Sequence, residues 1–365
     1  MSDKRSVRNV LEPVSLKDCK YLLSETDSIS ASNLFSVTSP DFPDAVRREI
    51  LLSKCSPEEI AKLSALFVAD RTRALGKIRP ALPESLKASL LFVPSSKVAA
   101  FAVPGKAGYV MLTTAGLYDL LRAHCVNSVW STHVDRLEKR LGVPLTSARA
   151  VEEYLNLRSI LFLAGRGTIH LIEDAVSEEV RNAGWRLAEV ALLFIVLHEY
   201  GHAHYALMNE EDKAVFASSL RLRVMEELTA TKIEEFFADR FALDCFGSEL
   251  AGPIAHAAVA FFSLRSAIEA AGFARGNSHP LALNRLWALS ERARSKMGNK
   301  DYKMDPVESQ LMNMERMWSS TASLRGDSSD SLLKRLINLA DEREKEVDLP
   351  VVISGISAME EHLVS

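Results

Sequence analysis

The chain has 365 residues, of which 47% are hydrophobic and 25% charged, with a formal net charge of −4. That is globular composition, with enough chain for one large domain or two small ones, and the near-neutral balance leaves no electrostatic footprint for nucleic acid or an anionic membrane. Four cysteines, Cys19, Cys55, Cys125 and Cys245, are scattered without a C-x-x-C pair, the pattern of reduced thiols in a cytoplasmic protein.

Residues 1–21 lack the continuous apolar core of a signal peptide, because Lys17, Asp18 and Lys20 interrupt it. The segment 1–80 reads as a polar N-terminal extension followed by helix. S-P-E-E at 56–59 supplies an N-cap, a proline in the first turn and acids at the helix start, and Ile60, Leu63, Leu66 and Phe67 then recur at helical spacing. The basic run 71–80 reads as a helix end and solvated linker. From Ser89 the period changes: L-L-F-V-P and V-A-A-F-A-V are β-branched apolar runs split by P-S-S-K, predicting strand, turn, strand. Residues 109–114 predict a third strand, and Leu117, Leu120 and Leu121 belong to a helix after it. Residues 122–186 contain helical pieces and three isolated histidines, His124, His133 and His170, which read as surface or core residues. The functional reading of this stretch is a lid or specificity element beside a cleft.

The stretch 187–203, L-A-E-V-A-L-L-F-I-V-L-H-E-Y-G-H-A, carries an apolar helical run straight into His198, Glu199 and His202. Residues four apart share a helix face, so the two imidazoles aim at one point. His-Glu-x-x-His on a helix is the zinc-protease arrangement, in which two ring nitrogens bind metal and the carboxylate is the general base. The competing reading is a surface helix with two histidines, but here the polar groups arrive together at the end of an apolar run. Catalytic zinc usually takes three protein ligands. E-E-F-F-A-D-R-F-A-L at 234–243 follows after roughly thirty residues, room for a turn and a returning helix. Glu235 and Asp239 are four apart; Glu235 is the candidate third ligand and Asp239 a brace for a ligand histidine. The alternative is a solvated acidic face, against which Phe236, Phe237 and Phe241 argue.

Further on, residues 254–273 are apolar but contain His256, Arg265 and Glu269, which predicts a buried helix rather than a membrane span. G-N-S-H-P breaks the chain before a helix starting L-A-L-N-R-L-W-A-L. His279 stands at that break, placed to donate to an oxyanion, and Arg285 can pair with an active-site carboxylate; the plain alternative is a turn with an N-cap. Residues 319–331 are linker-like, 331–340 a short amphipathic helix, 341–346 a solvated charge run, and L-P-V-V-I-S-G-I a strand or tail.

With these blocks in place the chain resembles the zinc metalloendopeptidase family of HtpX and the CAAX prenyl proteases. H-E-Y-G-H pairs with E-F-F-A-D-R, A-A-F-A-V-P-G-K-A-G-Y-V-M-L-T-T-A-G-L at 99–117 is similar to the family's N-A-F-x-x-P-G-G-x-I-x-V-T-x-G-L, and H-P-L-A-L-N-R-L at 279–286 to its H-P-x-x-x-x-R-I. The chain departs at Ala99, where the family has asparagine, and in residues 122–186, where the family has a short link. HtpX and the CAAX proteases are membrane-embedded, so the soluble members are the closer comparison. The resemblance implies an α+β fold: a mainly helical zincin-like metallopeptidase domain with a small sheet whose edge strand, Tyr109, Val110, Met111 and Leu112, lies beside the zinc helix and pairs with substrate. It implies zinc held by His198, His202 and Glu235, with Glu199 and His279 catalytic and Asp239 and Arg285 behind them.

The domains expected are a helical extension (1–80), a zinc metallopeptidase domain (81–297, insertion about 122–186) and a linker with a helical tail (298–365). The predicted function is a cytoplasmic zinc endopeptidase acting on a protein or peptide, without nucleic acid or a membrane span. One rival is a tightly regulated defence or signalling protease with a single protein target. The other is a non-catalytic zinc-stabilised binding module, which would have no use for the base Glu199.

Overall fold

Alternation along a strand sends successive side chains to opposite faces of a sheet, and in this protein both faces are covered. Leu91, Val93, Val110 and Leu112 join Ile50 and Ile60 in one core, while Leu90 and Met111 are buried on the other face. The structure, a computed structural model, describes residues 26–28, 50, 53–75, 88–105, 108–163, 169, 172–246, 251–270, 279–298, 329–346 and 348–364. The readings made above for residues 1–21, for His170 and for 319–328 lie outside them.

The sheet has four strands, β1 (Thr26–Ser28), β2 (Ala88–Val93), β3 (Ala100–Gly105) and β4 (Gly108–Thr114), in the order β1-β2-β4-β3. β2 runs parallel to β1 and β4, with Leu91 opposite Leu112; β3 runs antiparallel to β4, with Phe101 opposite Leu112. This corrects the expectation for Tyr109, Val110, Met111 and Leu112. They lie in β4, whose hydrogen-bonding edges are taken on both sides, and Val110, Met111 and Leu112 are buried. An edge strand needs unpaired N–H and C=O groups; on this side of the sheet, among the described residues, β3 carries them.

Helix α1 (Pro57–Leu75) opens with a full capping box: Ser56 N–H donates to Glu59 Oε2 at 2.7 Å and Glu59 N–H to Ser56 Oγ at 3.2 Å. Ile60 and Phe67 are buried as their spacing predicts, whereas Leu66 is exposed, because only part of the apolar face meets the sheet. Phe67 stacks on Phe92 with ring centroids 4.2 Å apart, and Ser64 Oγ accepts the Phe92 N–H at 3.0 Å, so α1 caps β2 beyond the reach of short β1. Where β4 runs into α2 (Ala115–Leu141), Gly116 is sterically required. A Cβ there would sit 2.2 Å from the Ser96 carbonyl oxygen.

The remaining elements are α3 (Thr146–Leu163), α4 (Glu178–Leu207), α5 (Glu210–Ser219), α6 (Ala230–Asp244), α7 (Ala251–Ala270), α8 (Ala282–Met297), α9 (Ser329–Glu346) and α10 (Leu349–Val364). The chain divides into two compact units. The first comprises Met1–Tyr118, Glu189–Ala258 and Asn277–Met304, the second Asp119–Ala188, Val259–Gly276 and Asp305–Ser365. In the second, Val126, Trp130, Val134 and Leu137 of α2 pack with Val151, Tyr154 and Leu155 of α3 and with Ile353 and Ile356 of α10. Residues 349–356, read as a strand or tail, are therefore helical. Asp348 Oδ1 accepts the Val351 N–H, Pro350 sits in the first turn, and the three-residue spacing of Ile353 and Ile356 puts both on one buried face. The charge run 341–346 is also helix, and Ser329 to Ser331 start it rather than continuing a linker. No helix among the described residues is long and apolar enough to cross a membrane.

Candidate metal centre

The apolar run of α4 buries Ala191 to Leu197, and the helix reaches its polar residues still inside the first unit: His198 and Tyr200 are buried and Glu199 nearly so. α6 returns alongside it, capped by Thr229, whose side chain accepts the Lys232 N–H. Its buried face carries Glu235, Phe236, Ala238, Asp239, Ala242 and Leu243. Contact between the two helices depends on small residues. A Cβ on Gly201 would lie 2.5 Å from the Ala238 Cα, so the backbones meet at the level of the histidines.

That approach brings three donors together. His198 Nε2 and His202 Nε2 are 3.1 Å apart, and the Glu235 carboxylate lies 3.4 Å from the first and 3.7 Å from the second. Behind each imidazole stands an acid. His198 Nδ1 is 2.9 Å from Asp239 Oδ1, and His202 Nδ1 is 2.9 Å from Glu234 Oε1. A carboxylate only accepts, so His202 Nδ1 donates to Glu234, while the Nε2 atoms of the two rings face one another. Among the described residues, His198, Glu199 and His202 form the one group of His, Cys, Asp or Glu side chains that could hold a metal ion by mutual approach alone, their ligand atoms lying within 4.8 Å of one another. Glu235 falls inside the same radius of both ring nitrogens.

Arg285, on α8, closes the arrangement. Its Nε and Nη2 donate to the two oxygens of Asp239, both at 2.7 Å, and Nη1 lies 3.0 Å from Glu235 Oε2. His279 Nε2 is 3.2 Å from Glu235 Oε1 on the more exposed side. Burial opposes the charged form at each buried member, and the neighbours outweigh it. His198 is raised to about 9 by hydrogen bonds to Asp239 and Glu235, while Arg285 and His198 hold Glu235 and Asp239 below the usual carboxylate range. Among the described residues no hydrogen bond or ion pair engages the Glu199 carboxylate, which leaves it available to a small ligand.

All seven predicted residues outside the sheet, His198, Glu199, His202, Glu235, Asp239, His279 and Arg285, come together, and Tyr109 to Leu112 serve the sheet core instead. His124 and His133 lie on α2 in the second unit. The sequence reading missed two features. Glu234 braces His202, its only signal being its place beside Glu235. Asn284, fully buried beside Arg285, accepts the Arg223 and Val224 N–H groups at 3.0 and 2.9 Å and donates to the Val224 carbonyl, fixing the loop that leads into α6. Glu226 completes that lock by accepting the Leu281 N–H and pairing with Lys232 at 3.2 Å. Set against family models, curated proteins and solved structures, the chain matches none.

Proposed function

We propose that the chain is a zinc-dependent endopeptidase, a cytoplasmic relative of the HtpX and CAAX prenyl protease family. The observation that carries this reading is the convergence of two imidazole Nε2 atoms and one carboxylate at 3.1 to 3.7 Å from one another. A tetrahedral ion with ligand bonds of about 2.0–2.1 Å sets its ligand atoms roughly 3.3 Å apart, so the donor set fits. Two nitrogens and one oxygen suit zinc, and three protein ligands would leave room for a water.

His198, His202 and Glu235 are the ligands in this reading. Bound zinc supplies Lewis-acid activation of the attacking water and of the scissile carbonyl. Glu199 follows His198 by one residue, about 100° around the helix, with its carboxylate within 4.8 Å of the ligand nitrogens, where it would serve as the general base. It would take the proton of the attacking water and return it to the leaving amine. His279, at the open side of Glu235, donates to the developing oxyanion. Asp239 and Arg285 hold His198 and Glu235 in register. An extended peptide would add to the open edge of β3, since β4 has no free edge.

The test is elemental analysis of purified protein together with hydrolysis of an unfolded protein substrate. Wild type should carry about one zinc per chain. Glu199→Gln should keep that zinc and lose hydrolysis by about 10²–10⁴-fold, the usual worth of a general base. Full activity in Glu199→Gln, or a wild type that binds no metal, would sink the reading.

A further inference from the structure

The geometry points to Glu234 as a positioning residue of this same centre: its carboxylate fixes the tautomer and ring plane of His202, so that Nε2 faces the metal. The inference rests on the zinc reading above. Glu234 Oε1 lies 2.9 Å from His202 Nδ1, and the same ring's Nε2 lies 3.1 Å from His198 Nε2 and 3.7 Å from Glu235 Oε1. A neutral imidazole carries one N–H and one lone pair. An acceptor at Nδ1 therefore decides that the lone pair is at Nε2, where the other donors converge.

α6 thus supplies three acids with three different tasks. Glu235 faces both ring nitrogens, Asp239 one turn later braces His198, and Glu234 one residue earlier braces His202. The two braces stand in different surroundings. Asp239 is buried with a side chain 3% exposed and is gripped by both arms of Arg285, whereas the Glu234 side chain is 34% exposed. Water competes for the second brace and not for the first, which makes the hydrogen bond to His202 the adjustable one.

The experiment measures zinc affinity of the full-length, metal-stripped protein by competition with a chelator of known affinity. Wild type is compared with Glu234→Ala, Glu234→Gln and, as a control acid on a different helix, Glu211→Ala. Loss of a brace behind a ligand histidine typically costs 10–100-fold in metal affinity. Glu234→Ala should lose that much, Glu234→Gln should recover most of it because its amide oxygen accepts the same N–H, and Glu211→Ala should match wild type. A long-range proton–nitrogen spectrum of the metal-stripped wild type should show His202 protonated at Nδ1, a readout independent of how well the alanine variant folds. Unchanged affinity in Glu234→Ala, a glutamine variant as weak as alanine, or the Nε2–H tautomer in wild type overturns the positioning role and leaves the zinc reading standing. A wild type that takes up no zinc overturns both.

Discussion

Arg285 meets two carboxylates at once, and its side chain is 4% exposed. A planar guanidinium forks across Asp239 and still reaches Glu235, which a lysine ammonium does not reproduce. Removing it leaves two buried acids without their cation, the situation in which breaking a buried pair costs about 3–5 kcal/mol. Arg285→Ala should lose roughly that stability in urea melts, and Arg285→Lys should recover only part of it; a loss below about 1 kcal/mol, as for an exposed pair, would show the cluster is solvated after all. The cysteines give a second residue-scale prediction. Burial pushes the Cys245 thiol up to about 12 and the Cys125 thiol well above the ordinary range, while Cys55 is only half-buried. At pH 8 a thiol of pKa 12 is ionised in about one molecule in ten thousand, so brief alkylation followed by peptide mass mapping should find Cys55 modified and Cys125 and Cys245 spared. Legibility at this scale followed the helix period. His198, His202, Glu235 and Asp239 recur four apart within single helices, so their shared faces were visible in the sequence. Glu234 was not, because two adjacent acids read as surface charge until a partner helix shows which of them faces what.

Two helices bring the donors together only if their backbones meet, and Gly201 against Ala238 is the point of contact. A methyl placed on Gly201 meets the Ala238 Cα at 2.5 Å, and backbone has no rotamer with which to step aside. Gly201→Ala should therefore separate α4 from α6. Overpacking of this kind costs about 1–3 kcal/mol, and because the separation acts on the two helices that carry the proposed ligands, zinc affinity should fall together with stability. Gly355 on α10 is the matched control: nothing lies within 4 Å of its added Cβ. Gly355→Ala should leave zinc affinity unchanged and stabilise by about 0.4–1 kcal/mol through the unfolded chain. Equal effects of the two substitutions on zinc affinity would remove the close approach as the cause. Strand existence was legible from β-branched runs, but strand order was not. Alternation shows where a strand is and says nothing about its neighbours; the edge position of β4 came from the family resemblance alone, and β2 and β3 flank it.

The second unit draws on segments far apart in the chain, and that non-local assembly is what single-sequence reading sees least. The segment 122–186 read as an insertion and the C-terminal residues as a tail, yet α9 and α10 each pack against α3. Arg158 of α3 pairs with Asp341, at 3.4 Å, and with Glu344, and Arg343 reaches back to Glu153 at 3.1 Å. These pairs are partly exposed, so each contributes at most about 0–1 kcal/mol. The apolar contacts decide the docking: Ile353 and Ile356 are buried against the cluster that holds Trp130 and Tyr154. Ile353→Ala should cost about 2–5 kcal/mol as a truncation in a packed core, several times the cost of Arg158→Ala. None of the residues around Ile353 in that cluster is a candidate metal ligand. Zinc content measured well below the melting temperature should therefore stay at its wild-type value while the melting curve moves, and a variant that loses zinc in proportion to stability would mean that the ligand helices depend on this core to keep their positions.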